Sequence, residues 1–379
     1  MAERKLKVAI VCDWLLGTGG AERVVYELHK LYPQAPIYTS QYDDNPKTWY
    51  GYNWFDDADI RTTRLQKLPK SLKKFLPVLR ALIFPRIDLS EYDLVISSSG
   101  AEAKSVHTGP DTLHICYCHS PTHYYWQRYD EYLKRPGFPI GTNWLARIGL
   151  RLLVTPLRVW DRHAAKQPDI MIANSTHIQE SIKKYYRRDS TVIFPPVDIE
   201  RFKVRGAEQD RHGFVVAGRQ APYKRIDLAV EAATKLKLPL VVIGNGPEHK
   251  NLEKIAGRNV TFLTSVSDED MPKQFSSSLA LIFPSNTEDF GITPIEAMAA
   301  GTPVIAYSKG GPRDYIVLNK TGLFFDRLTA NSLAQTLERF NPSRFNSKEI
   351  AAFSENFSDA KFRSRIAKLI DKSIKDFTK

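Results

Sequence analysis

An α/β protein of two parallel-sheet domains is what three observations on this sequence predict. Short apolar runs alternate with helical stretches along the whole chain, its 379 residues exceed what one hydrophobic core usually holds, and adjacent prolines interrupt the pattern near the middle. Runs that are apolar throughout, rather than alternating with polar residues, are strands buried on both faces by helices.

In the first half these runs are Lys7 to Cys12, Leu94 to Ser97, His114 to Cys118 and Ile170 to Asn174. In the second they are Phe214 to Ala217, Leu240 to Ile243, Val260 to Leu263, Leu279 to Pro284 and Val304 to Ala306, each followed by a turn and a helical stretch. Between the halves lies Val192-Ile193-Phe194-Pro195-Pro196-Val197-Asp198, and paired prolines suit neither a helix interior nor a central strand. The junction is therefore placed there, with domains 1–192 and 193–357. Residues 358–379 carry Phe362, Ile366, Leu369 and Phe377 at helical spacing and form a closing helix.

The chain is 42% hydrophobic with a formal net charge of +12, so it can bury sizeable cores and attracts anions: nucleic acid, anionic lipid or phosphorylated small molecules. No helix-turn-helix, zinc or RNP-like pattern is present, and nucleic acid is not expected. Cys12, Cys116 and Cys118 all fall in apolar runs, an odd number without metal-ligand spacing. This argues against a disulfide framework or zinc site and for a reducing, cytoplasmic compartment. The apolar run Val8 to Cys12 is cut by Asp13, too short for a signal sequence, and no run is long enough to span a membrane.

The most informative stretch is Ser285-Asn286-Thr287-Glu288-Asp289-Phe290-Gly291-Ile292-Thr293-Pro294-Ile295-Glu296. Thr293 followed by Pro294 reads as N-cap and first helical residue, which would turn free N–H groups and a positive dipole end toward the loop, where anions are stabilised. Thr293-x-x-Glu296 also reads as a capping box, a structural duty for Glu296. Glu288 lies ahead of the helix beside Gly291, either a solvated loop acid or a carboxylate that reaches a ligand.

Arg219 and Lys224 follow the strand Phe214 to Ala217, at the carboxyl end where open α/β sheets bind ligands. A guanidinium fork and a point-charge lysine suit a diphosphate, although a solvated basic turn looks the same. Gly244 follows the next strand, where a small residue lets backbone approach a ligand or simply makes a tight turn; Thr264 and Ser265 follow the third. In the first half, Gly17-Thr18-Gly19-Gly20-Ala21-Glu22 opens a helix but is not GxGxxG, which disfavours a dinucleotide site. His119 closes the strand His114 to Cys118, and Thr122-His123-Tyr124-Tyr125-Trp126 is either an aromatic floor for a sugar or a core helix start. Asp57-Ala58-Asp59 is a metal-binding Asp-x-Asp in spelling, but it lies in a polar stretch without a clear preceding strand and is discounted.

Arg61 to Arg86 holds eight basic residues and no acid, with Leu65, Leu68, Leu72, Phe75, Leu79 and Ile83 at helical spacing and Pro69 and Pro77 breaking it. Arg147, Arg151 and Arg158 repeat the theme among Leu150, Leu152, Leu153 and Val154. Such surfaces either lie on anionic membranes or turn an apolar stripe to the core beneath solvated basic residues.

Taken in order, these blocks resemble the signature of the family 4 glycosyltransferases. The likeness covers nearly all of the chain and is most specific in its second half. It implies the GT-B fold, two Rossmann-like domains whose parallel sheets face each other across a cleft, with the final helix crossing back to the first domain. It also implies a retaining, metal-independent enzyme without cofactor that uses a nucleoside-diphosphate sugar. By this resemblance Glu296 binds the ribose, Glu288 and His119 contact the transferred sugar, and Arg219 and Lys224 clamp the diphosphate. Gly19, Gly20, Gly244, Thr264, Ser265, Phe290, Gly291, Ile292 and Thr293 complete the donor site. Val11-Cys12-Asp13-Trp14-Leu15, Gly19-Gly20-Ala21-Glu22, Pro36-Ile37-Tyr38-Thr39 and His119-Ser120-Pro121 are most similar to bacterial O-antigen and exopolysaccharide mannosyltransferases. That branch implies GDP-mannose as donor, a polyprenyl-diphosphate-linked glycan as acceptor, and residence on the inner face of the cell membrane. The alternatives are a UDP-sugar donor, a non-catalytic sugar-nucleotide or nucleic-acid binder, or a glycosidase pairing Glu288 with Glu296, which the phosphate-binding surroundings count against.

Overall fold

The computed structural model describes residues 6–49, 53–68, 76–134, 143–203 and 210–377. The chain forms two compact units, one of Met1–Phe194 with Arg363–Lys379 and one of Pro195–Phe362.

The first unit holds β1 (Val8–Cys12), β2 (Ile37–Thr39), β3 (Ile60–Thr62), β4 (Leu94–Ser99), β5 (Leu113–Cys118), β6 (Ile170–Ala173) and β7 (Thr191–Val192) in the order β3-β2-β1-β4-β5-β6-β7. Every pairing is parallel. The second holds β8 (Phe214–Ala217), β9 (Leu240–Ile243), β10 (Val260–Leu263), β11 (Ala280–Phe283), β12 (Val304–Tyr307) and β13 (Gly322–Phe325) in the order β10-β9-β8-β11-β12-β13, again parallel throughout. In each sheet the strand order reverses once, between β1 and β4 and between β8 and β11. The crevice outside the strand ends at such a reversal is where open α/β sheets bind ligands.

Burial explains why the central strands were readable. β1, β4, β5, β8, β11 and β12 are buried along their whole length. Four strands were not anticipated. β2 has three residues, β3 is a largely exposed Ile-Arg-Thr edge, β7 has two residues beside the prolines, and β13 opens with a glycine. β2, β3 and β7 carry no continuous apolar signal, and in β13 the run is only Leu323-Phe324-Phe325.

The closing helix Asp359–Phe377 buries Phe362, Ile366 and Ile370, while Phe377 is 40% exposed and Leu369 half-buried. The 3.6-residue period favours Ile370 over Leu369 beneath Ile366. Arg363 of this helix pairs with Glu27, a buried acid on the helix Gly20–Leu31.

The basic segment 61–86 is not one amphipathic surface. Its described part runs from β3 through a turn at Arg64–Lys67 to the helix Leu76–Ile83, and Arg80 is buried against Glu102. Pro69, Leu72 and Phe75 lie outside the described residues.

Candidate functional site

At the β8/β11 reversal the second unit brings Lys224 and Glu288 into contact. β8 ends at Ala217, and the turn after it exposes Arg219, whose side chain makes no hydrogen bond or ion pair among the described residues. Gln220 is buried and locks this turn to the next loop: its Nε2 donates to the Gly244 carbonyl at 2.7 Å, its N–H to the Asn245 carbonyl at 2.9 Å, and its Oε1 lies 2.8 Å from His249 Nδ1. Gly244, at φ +111°, sits so close that a Cβ would stand 2.4 Å from the Gly218 carbonyl oxygen. That position excludes any side chain.

Lys224 Nζ lies 2.7 Å from Glu288 Oε2, with only 19% and 16% of the two side chains exposed. The pair is held from both sides. The Asn286 N–H donates to the Tyr223 carbonyl at 2.8 Å, tying the two loops, and the Gly311 N–H donates to the Glu288 carbonyl at 2.8 Å. Gly310, at φ +81°, passes so closely under this loop that a Cβ would fall 2.5 Å from the Glu288 carbonyl oxygen. Thr287 takes a left-handed φ of +55°, and the buried Tyr315 hydroxyl donates to the Phe290 carbonyl at 3.0 Å. The Ser285 hydroxyl is buried beneath, without a hydrogen-bond partner among the described residues.

The helix after this loop starts earlier than the sequence suggested. It spans Ile292–Ala299 with Gly291 as N-cap at φ +89° and no side-chain cap. Thr293 is therefore inside the first turn and the Thr293-x-x-Glu296 capping box does not form. The physical reason is Gly291, which reaches a conformation that lets Ile292 and Thr293 turn helical at once. Their N–H groups have no partner four residues back, which leaves an anion-attracting end beside Glu288. Glu296 lies half-buried on the same helix; Thr264 and Ser265 are exposed after β10.

In the first unit the corresponding reversal is built around Asp13. At the end of β1 this buried carboxylate accepts the N–H groups of Gly100, Ala101 and Ala103 at 2.7, 3.0 and 2.7 Å, binding the β1 loop to the β4 loop. Gly19 is the extended N-cap of the helix Gly20–Leu31, and the Glu22 carboxyl folds back over it. Burial first, then the charge of Asp13, pushes the Glu22 carboxyl up to about 7. His119 follows β5, half-buried; its Nε2 lies 2.7 Å from Ser98 Oγ, and its carbonyl accepts from Asn174 Nδ2 at 2.9 Å.

Below this edge runs a buried ionic network that sequence reading missed. Lys104 Nζ meets Asp161 Oδ1 at 2.7 Å with both side chains shut off from solvent. Asp161 also accepts from Thr122 Oγ1, Trp126 Nε1 and the Tyr186 hydroxyl at 2.9, 2.7 and 2.9 Å. Arg80 Nε donates to Glu102 at 2.7 Å, and Tyr124 donates to the same carboxylate. The aromatic run Tyr124 to Trp126 is thus spent largely on this network and its packing against Tyr185 rather than on an open floor. Asp57 and Asp59 bind His29 and Arg61.

Residues 18–201 match the model of Glycosyltransferase Family 4, and residues 197–357 match that of Glycosyl transferases group 1. The solved structure of Anabaena HepE in complex with UDP superposes with a TM-score of 0.71 at 18% identity, covering 97% of this chain and 100% of that one. The chain has the GT-B glycosyltransferase fold. A second GT-B neighbour, the apo lipopolysaccharide outer core galactosyltransferase WaaB, superposes at 0.67, again with 18% identity over 97% of this chain and 100% of that one. In sequence, a GDP-mannose-dependent alpha-mannosyltransferase of Mycolicibacterium smegmatis is 30% identical over 176 residues, 44% of this chain and 47% of the relative. A D-inositol 3-phosphate glycosyltransferase of Mycobacterium marinum is 30% identical over 180 residues, 41% of this chain and 39% of the relative. The chain spans less than half the length of these curated relatives.

Proposed function

We propose that this GT-B protein is a retaining, metal-independent glycosyltransferase that moves mannose from GDP-mannose to a polyprenyl-diphosphate-linked glycan at the inner face of the cell membrane. The observation that carries this reading is the Lys224–Glu288 pair, held at the β8/β11 reversal beside the first turn of Ile292–Ala299. A cation, an uncapped helix start and an exposed arginine gathered there suit a diphosphate.

In this reading Arg219, Lys224 and the N–H groups of Ile292 and Thr293 stabilise the negative charge that grows on the departing nucleoside diphosphate. The bond from the anomeric carbon to the β-phosphate oxygen breaks and that carbon bonds to the acceptor oxygen on the same face. The acceptor's proton passes to the leaving phosphate. Within the second unit Glu288 holds the sugar and Glu296 the ribose. The Lys224–Glu288 pair sharpens the chemistry, because a diphosphate competes with Glu288 for the same ammonium.

Thermal shift with a panel of GDP- and UDP-sugars tests the donor. Stabilisation by GDP-mannose is expected; stabilisation by UDP compounds alone selects the second reading, a UDP-sugar donor, which the likeness to UDP-bound HepE favours. Glu288→Gln is expected to abolish transfer from labelled donor while tightening free nucleoside diphosphate about fivefold, the effect of removing roughly 1 kcal/mol of competition from a partly buried pair. Transfer unchanged in this variant would end the assignment of Glu288.

A further inference from the structure

The helix Asn143–Ala164 of the first unit turns a row of large apolar side chains to solvent. Trp144, Ile148, Leu152 and Val159 are 58%, 46%, 72% and 64% exposed. At 3.6 residues per turn the four fall within a sector of about 80°. Arg151 and Arg147, both exposed, border that sector on one side. Val154, Asp161 and Ala164 lie away from the row and are buried, while Leu153, 46% exposed, stands apart from it.

The exposure is not a helix rolled out of place. Asp161, at the centre of the buried network, fixes the rotation through Lys104, Thr122, Trp126 and Tyr186. Arg158 packs over the Trp126 and Tyr129 rings and donates to the Tyr125 carbonyl at 2.6 Å, and Arg147 donates to the Leu133 and Lys134 carbonyls at 3.1 and 2.9 Å. The core therefore holds the apolar row outward.

Charge selects what covers it. The helix contains a single acid, Asp161, which is buried and paired, so a second copy of this face offers no carboxylate to Arg147 or Arg151. An anionic surface does. No described helix is long and apolar enough to cross a membrane, and an apolar row with a basic border on one side suits a helix lying in the plane of the headgroups.

We propose that the helix Asn143–Ala164 docks on an anionic lipid bilayer, with Trp144, Ile148, Leu152 and Val159 entering the acyl boundary and Arg147 and Arg151 on headgroup phosphates. This deepens the membrane part of the function proposed above and seats it on the second of the two basic segments that the sequence singles out.

The experiment is flotation of the full chain with vesicles of phosphatidylcholine alone or mixed with phosphatidylglycerol, with light scattering of the free protein. Wild type floats with the mixed vesicles. Trp144→Ser with Leu152→Ser lowers partitioning about tenfold or more, since each removed side chain forfeits apolar burial. Arg147→Gln with Arg151→Gln abolishes the preference for phosphatidylglycerol. The melting temperatures of both variants verify folding, and a single substitution, Leu152→Ser, serves where a double variant does not fold. Wild type that ignores the mixed vesicles, a folded variant that floats as well as wild type, or a dimer that the Trp144/Leu152 changes dissolve would overturn the proposal. Flotation without response to any nucleotide sugar would leave docking intact and sink the catalytic reading instead.

Discussion

The two units share a sheet plan but hold their reversal points by different means. In the second, the loops are fixed by backbone hydrogen bonds, by glycines that no side chain could replace, and by the candidate residues Lys224 and Glu288 pairing with each other. In the first, buried charges do the fixing, through Asp13, Arg80–Glu102 and Lys104–Asp161. The difference teaches where each is vulnerable: the second loses geometry at a glycine, the first loses stability at a charge.

The largest effect is expected at Asp161. Asp161→Ala leaves Lys104 buried without its carboxylate and strands three further donors, and the cost should reach about 3–5 kcal/mol in denaturant unfolding. A loss below about 1 kcal/mol would mean that the network is not what organises the first unit. Next comes Glu22, whose carboxyl rises from 4.5 to about 7 on folding. A raised carboxyl favours the folded state at low pH, and that advantage fades as pH climbs from its ordinary value through 7. Stability should therefore fall over this window by up to about 3 kcal/mol more in wild type than in Glu22→Gln. Parallel pH–stability curves for the two would contradict the shift.

Gly310→Ala probes the second unit, where a left-handed residue and a 2.5 Å contact leave no space for a methyl. Unfolding free energy should drop by about 2 kcal/mol, with sugar transfer, where measurable, reduced more than nucleotide affinity. The smallest effect is expected at Thr293. Its place inside the helix means that Thr293→Ala should cost under about 0.5 kcal/mol, whereas loss of a true N-cap costs about 1.

These contrasts also mark what sequence could carry. Parallel strands covered on both sides become unbroken apolar runs, so the central strands were legible, while β3 and β7, polar or short at an edge, were not. That Arg219, Lys224 and Glu288 stand in the loops after β8 and β11 was legible, because those strands are such runs. Their supports were not. Gln220 acts through a neighbouring loop, and Asp13 accepts N–H groups some 90 residues away along the chain, a relation no local pattern encodes. Thr293 misled because Ser/Thr-x-x-Glu is also met where a preceding glycine already starts the helix.

All three cysteines of the chain, Cys12, Cys116 and Cys118, are buried in the first unit, and none is in the second. Burial pushes the Cys116 thiol up to about 11 and raises the other two as well, so the folded protein should ignore mild alkylating reagents. Thiol labelling during unfolding then reports the opening of one unit while the other stays silent. A lone cysteine placed at Leu152 would give a single bright mark on an otherwise unreactive surface.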